Sequence, residues 1–183
     1  DSASDTHLQL QGREVEHFDD SVHVRGALSP QEATELFDYF QQIGDKMRPK
    51  DTSAACKAKS RYPLWSSYYG CARKLRVLFG LQDEECALNS MLVNYYFSGA
   101  DTYIPAHRDT TACLVDGSSV YCLSLGATRD FVLCNNNNIG KFNLQDLDVV
   151  KGFSVCAGDV FAIGPATNEK YLHCVPRDES VCG

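Results

Sequence analysis

From residue 91 to residue 175 the chain is cut into short apolar runs, and this punctuation restricts the fold more than any other feature. Met91–Phe97 is rich in aromatic and branched residues. Val120–Leu125 and Asp130–Cys134 are separated by Gly126-Ala127-Thr128-Arg129, and Phe153–Cys156, Asp159–Ile163 and Tyr171–Val175 complete the series. Runs of this length and composition between turn formers read as strands. Asn135–Asn138, followed by Ile139-Gly140, reads as a turn, because asparagine tolerates left-handed backbone and caps its own turns.

Helical spacing is confined to the front of the chain. Ser29-Pro30-Gln31-Glu32 has the form of a helix start, with Ser as cap, Pro in the first turn and Glu three residues after the cap. Ala33, Leu36, Phe37, Phe40 and Ile43 then recur on one face, and Gly44 closes the run. A second helix is expected from Tyr68 to Phe79, ended by Gly80. Asp1–Asp20 is polar and expected to be a flexible N-terminal segment. Asp45–Ser67 is basic, small and aromatic, as a surface loop would be. Helices first and strands afterwards predict an α+β protein whose β part is a sandwich or jelly roll.

Composition sets the outer bounds. The 183 residues suit one domain, and 44% apolar with 22% charged residues is ordinary for a globular core. No apolar stretch approaches the length of a membrane span, so no membrane partner is expected. Nine cysteines, an odd number with no C-x-x-C, suit free thiols in a reducing compartment, which points to the cytoplasm or nucleus, or to an organelle if a targeting segment has been removed. Seventeen basic against 24 acidic side chains give a net charge of −7, the wrong sign for tight, non-specific binding to duplex phosphate. The basic cluster Lys46, Arg48, Lys50, Lys57, Lys59 and Arg61 reads first as a solvated loop.

The chemistry concentrates in His107-Arg108-Asp109. In extended backbone, residues two apart face the same side, so an imidazole and a carboxylate converge. His173, on a distant strand, is placed to supply a third ligand. Two His and one carboxylate on one face of a metal suit non-haem Fe(II), which keeps its remaining positions for co-substrate and O₂. A His-x-Asp pair by itself is weak evidence, since such pairs are more often hydrogen-bonded structure.

The surroundings strengthen it. Leu92-Val93-Asn94-Tyr95-Tyr96-Phe97 followed by His107-x-Asp109 resembles the AlkB-like family of Fe(II)- and 2-oxoglutarate-dependent dioxygenases. So does Ser124-Leu125-Gly126-Ala127-Thr128-Arg129-Asp130-Phe131, and so does Gly158-Asp159 leading to His173. The resemblance covers about residues 20–178. It implies a double-stranded β-helix (jelly-roll) core with the N-terminal helices packed on one sheet, in a domain spanning residues 21–183. It also implies His107, Asp109 and His173 as iron ligands, and Asn94 and Tyr96 as residues that hydrogen-bond 2-oxoglutarate. Ser124, Leu125 and Gly126 would be structural, as would the Gly158-Asp159 turn. Arg129 is either structural or part of the site lining.

The implied reaction oxidises a C–H bond while 2-oxoglutarate and O₂ give succinate and CO₂. On an N-methyl group the product falls apart to formaldehyde and the free amine. Two departures stand out. The family carries a co-substrate-clamping arginine on the strand after the distal His, whereas here only Arg177 follows before Gly183, so either the natural chain continues past Gly183 with that strand or co-substrate binding is altered or lost. Acidic residues that follow the aspartate in nucleic-acid repair members are replaced by Thr110, Thr111 and Ala112.

The expected substrate is an N-alkylated nucleobase of DNA or RNA, single-stranded or flipped. Arg61, Tyr62, Trp65 and Arg108 are the candidates for touching base and phosphate. Trp65 serves equally well as a hydrophobic plug. The alternatives are the same chemistry on a protein side chain or small metabolite, and a catalytically inactive AlkB-like interaction subunit with a protein partner.

Overall fold

A computed structural model describes residues 10, 12–47, 56–58, 65–81, 88, 92–96, 101–112 and 114–181, with backbone alone for 43–47, 56–58 and 65–71. Among the described residues ten strands lie in this order: β1 (Val15–Phe18), β2 (Ser21–Val24), β3 (Cys56–Ala58), β4 (Val93–Tyr95), β5 (Ile104–His107), β6 (Val120–Leu123), β7 (Arg129–Cys134), β8 (Val149–Val155), β9 (Val160–Ile163) and β10 (Leu172–Val175). Helix α1 (Pro30–Met47) precedes β3, α2 (Trp65–Leu78) precedes β4, and the short α3 (Pro165–Lys170) leads into β10. Two four-stranded sheets, ordered β1-β2-β9-β6 and β5-β10-β7-β8, carry the fold, with β3-β4 as a separate pair. Every pairing among the described residues is antiparallel.

The alternation along each strand explains why the two large sheets face each other. Phe131, Leu133, Phe153 and Val155 from the second sheet pack against Phe161 and Ile163 from the first, with Val120 and Cys122 at the margin. Burying each such phenylalanine is worth about 2–3 kcal/mol. The rings of Phe131, Phe153 and Phe161 meet at 4.6–4.7 Å. On the outer side of the first sheet, Leu28 and the α1 residues Ala33 and Leu36 cluster with Leu123 and Leu125, while Leu78 of α2 packs with Val24. Gly126 lies against this helix: its φ is +80°, and a Cβ there would sit 2.6 Å from the Phe37 ring. The Gly of the Ser-Leu-Gly motif is thus required by packing as well as by backbone.

The Ser29 cap forms as the sequence predicts. The Ser29 hydroxyl accepts the Glu32 amide at 3.3 Å, and the Glu32 carboxylate takes the Ser29 amide at 2.9 Å, a reciprocal capping box. Three expectations change. Gly44 does not end α1, which runs on to Met47, so one unfavourable residue is tolerated within a long helix. The 45–67 stretch contains β3 and the first turn of α2, beginning at Trp65. Regular structure also begins inside the segment expected to be flexible, because β1 pairs with β2 from Val15 onward. That hairpin lacks a clean apolar alternation because its inward residues include Ser21 and His23, both fully buried. Among the described residues no helix is long and apolar enough to cross a membrane.

Candidate metal centre

β5 and β10 are neighbours in one sheet, and His107 is the direct register partner of His173. Opposed residues of an antiparallel pair point to the same face, so the two rings stand side by side with centroids 4.4 Å apart. Asp109 lies just beyond the end of β5. Its two oxygens are 3.6 Å from His107 Nε2 and 3.5 Å from His173 Nε2. One donor atom from each of the three residues can be chosen so that all lie within 4.8 Å of one another. His173 is buried, while His107 and Asp109 are half-buried, which leaves an open side towards solvent.

The supporting contacts fix these groups from behind. His107 Nδ1 lies 2.9 Å from the Pro105 carbonyl, and donation to that oxygen leaves Nε2 as the lone pair that faces Asp109. The Asp109 backbone is gripped at both ends by one side chain: its amide donates to Asn168 Oδ1 at 3.2 Å, and its carbonyl accepts Asn168 Nδ2 at 3.1 Å. Asn168 belongs to α3, which is itself anchored by Asp20, whose carboxylate accepts the Ala166 and Thr167 amides at 2.7 and 2.9 Å. The approach is close enough that a Cβ on Gly164 would fall 2.2 Å from the Asp20 side chain. Phe131 stacks on His173 at 5.4 Å and closes the inner wall.

Electrostatics favour a ligand role. Burial lowers the His173 pKa to about 4, opposed by the charge of Asp109 and assisted by His107, so its imidazole is neutral at physiological pH. Cys122 faces the same interior, and burial together with Asp109 pushes its thiol up to about 12. A thiol held in the protonated form is a poor competitor for the ion. Two neutral imidazoles and one carboxylate are a donor set that fits ferrous iron with positions to spare. The four cysteines whose side chains are described, Cys122, Cys134, Cys156 and Cys174, are all free thiols, as their spacing predicts.

The other expected site residues separate into groups. Asn94, in β4, and Tyr96, just after it, are half-buried; Asn94 Oδ1 is itself shielded and has no hydrogen-bond partner among the described residues. Arg108 is exposed and donates to Asn136 Oδ1 at 2.8 Å. Arg61 and Tyr62 lie outside the described residues, and Trp65 is described only as the first residue of α2. Arg177 is exposed and lies over the rings of Tyr103 and Phe142 at 5.8 and 5.9 Å. The Asp159 turn is structural, as expected: its carboxylate accepts the Gly26 and Cys156 amides and meets His23 Nε2 at 3.0 Å. Sequence reasoning passed over Asn168 and the Pro105 carbonyl. An asparagine in a six-residue helix carries no periodic signal, and a backbone acceptor carries none at all.

Known proteins fit this geometry. The family model described as "2OG-Fe(II) oxygenase superfamily" matches residues 17–181. The DNA oxidative demethylase ALKBH2 of Mus musculus is 32% identical over 105 residues, covering 55% of this chain and 43% of that protein. Its counterparts in Bos taurus and Homo sapiens are 34% and 33% identical over 93 residues, covering 51% of this chain and 33% and 35% of theirs. The chain thus spans less than half the length of these curated relatives. A match that runs from β1 past β10, over a sheet pair that brings His107, Asp109 and His173 together, places this chain in the 2OG-Fe(II) oxygenase superfamily.

Proposed function

We propose that this protein is an Fe(II)- and 2-oxoglutarate-dependent dioxygenase that oxidatively removes an N-linked alkyl group from a nucleobase of DNA. The convergence of His107, Asp109 and His173 carries the reading. The similarity to DNA oxidative demethylases supports the choice of substrate. The domain is taken as residues 21–183 together with the β1 strand, and its two facing sheets as a double-stranded β-helix with α1 and α2 on the first sheet.

The bound iron, with 2-oxoglutarate and O₂, would supply the oxidation of a C–H bond. The remaining work falls to the chain. His107, Asp109 and His173 would hold the ion, with Pro105 and Asn168 keeping the donors oriented. Asn94 and Tyr96 would hydrogen-bond the co-substrate. Phe131 and Cys122, packed in the apolar core beside the site, would limit water on its inner side. Arg61, Tyr62, Trp65 and Arg108 would contact a base in single-stranded or extruded form, since an atom inside a duplex cannot reach such a site. The net charge of −7 argues for weak binding to the nucleic-acid backbone, and an intracellular location, nuclear or cytoplasmic, suits both the substrate and the free thiols.

A second reading keeps the chemistry and moves it to a protein side chain or small metabolite; the negative charge and the Thr110-Thr111-Ala112 segment favour it. The test is incubation with Fe(II), 2-oxoglutarate and methylated single-stranded oligonucleotides. Succinate, formaldehyde and the loss of one methyl mass from the oligonucleotide are expected together. Succinate formed only with peptides or metabolites transfers the proposal to the second reading. No succinate with any substrate leaves an interaction subunit.

A further inference from the structure

The three ligand side chains are not held alike. His107 and His173 sit within β5 and β10 and oppose each other across the ladder, so the sheet itself fixes them. β5 ends at His107, and Asp109 lies beyond it. The Asp109 backbone is gripped instead by Asn168, which accepts its amide at 3.2 Å and donates to its carbonyl at 3.1 Å. Asn168 is buried, which shields this grip from competing water. The placement of the carboxylate ligand therefore passes from the sheet to α3.

Helix α3 has six residues. A helix this short is unstable by itself, because nucleating it costs more than its few bonds return. It is held from outside by the turn between β1 and β2. Asp20 Oδ2 accepts the Ala166 amide at 2.7 Å, and Oδ1 accepts the Thr167 amide at 2.9 Å and its hydroxyl at 2.6 Å. The two amides belong to the first turn, whose donors a helix cannot satisfy internally. The Ser21 hydroxyl accepts the Gly164 amide at 3.0 Å, and the Gly164 carbonyl in turn accepts the Asn168 amide at 2.9 Å. At the other end of α3, Asp19 meets Lys170 at 3.5 Å and the Phe18 ring lies 5.6 Å from that of Tyr171. Four consecutive residues, Phe18 to Ser21, thus hold α3 from the residue before it to the residue after it. Thr167, the fully buried residue on which Asp20 closes twice, directly precedes Asn168.

We propose that Asp20 is a positioning residue of the metal centre: by fixing α3 it fixes Asn168, and through Asn168 the Asp109 ligand, so that metal affinity depends on the turn of the N-terminal hairpin. The inference rests on the reading of His107, Asp109 and His173 as ligands and extends their support to a segment remote from them in sequence. A carboxylate whose backbone is already held loses less freedom on taking up an ion. Release of α3 would leave both histidines in register and loosen Asp109 alone. Affinity would then fall without being abolished.

The test is titration calorimetry with Mn(II), at a temperature well below the melting point of each variant so that only folded protein is read. Asp20→Ala is expected to weaken Mn(II) about tenfold, the low end for loss of a support behind a ligand. Asp20→Asn keeps one acceptor oxygen; it is expected to weaken Mn(II) about threefold and replaces the Ala variant if that does not fold. Asp159→Ala, which removes a purely structural carboxylate, is expected to melt earlier and to bind Mn(II) as the wild type does. The double variant of Asp20 with Asn168→Ala is expected to bind within about twofold of Asn168→Ala alone, because both changes act on one path. A folded Asp20 variant within about 1.5-fold of the wild type overturns the inference, since an outer support should move affinity by more. Losses that multiply in the double variant overturn it too, because Asp20 would then act by another route. Equal weakening in Asp159→Ala also overturns it, by showing that any destabilised fold binds poorly. A wild-type protein that takes up no Mn(II) overturns the metal-centre reading itself.

Discussion

Two histidine–aspartate pairings sit in the same pair of sheets, and the contrast between them shows how one set of residue types does two jobs. His23 and Asp159 meet at 3.0 Å with side chains 0% and 4% exposed, and the Asp159 carboxylate also accepts two backbone amides. Its acceptor capacity is used within the protein. At Asp109 the carboxylate is 31% exposed, the imidazoles stand 3.5 and 3.6 Å away, and the clamp acts on the backbone through Asn168. Those separations are long for hydrogen bonds, and they aim donor atoms at a shared point. A structural pair closes on itself, whereas the cluster of His107, Asp109 and His173 is held from behind and left open in front.

The contrast is sharpened by substitution. His107→Ala, Asp109→Ala and His173→Ala should each reduce turnover to background with native secondary structure retained; succinate release and circular dichroism read the two quantities. Turnover retained in any one of them removes that residue from the ligand set. Asp159→Ala should behave in the opposite manner, destabilising by about 3 kcal/mol because it strands buried donors, measured by urea unfolding.

Asn168→Ala should lie between the two extremes. It is expected to weaken Mn(II) binding roughly 10–100-fold, as the loss of an outer support typically does, in a metal titration. Unchanged affinity would show that α3 does not position Asp109.

The smallest effect is expected at Asp20. Burial tends to raise its pKa, but bonds from the Thr167 hydroxyl and the Ala166 and Thr167 amides outweigh it, so the folded value is lowered. A depressed carboxylate stabilises the fold above its unfolded pKa of roughly 3.9 and loses that contribution as pH falls through the folded value. Asp20→Asn should therefore cost about 1 kcal/mol at pH 7 and progressively less below pH 4. Urea midpoints of the wild type and the variant should differ at pH 7 and converge as the pH falls below 4.

The parts of this molecule that could be read in the sequence obey short-range rules. Ser29 and Glu32 form their box because both partners lie within one turn. His107 and Asp109 share a face because extended backbone alternates. The strands from Val120 to Val175 are outlined by turn residues, although β8 begins at Val149, before the run Phe153–Cys156 that marks it. What was missed depends on contacts remote in sequence. β1 and β2 hide behind Ser21 and His23, polar residues made tolerable inside the protein by Gly164 and Asp159. Asn168 acquires its role only when α3 comes to rest 59 residues away in sequence, against Asp109. Arg129 could be placed in the interior only once Val155 was known to face it.

The cross-strand pairing of His107 with His173 has a further consequence. Side chains alternate along a strand, so sliding β10 by a single residue would turn His173 towards the outer layer and bring Leu172 or Cys174 inward instead. An ion that needs both imidazoles would therefore bind only the correctly aligned sheet. Metal uptake during refolding would act as a proofreader, rewarding one alignment of the strands and none of its neighbours.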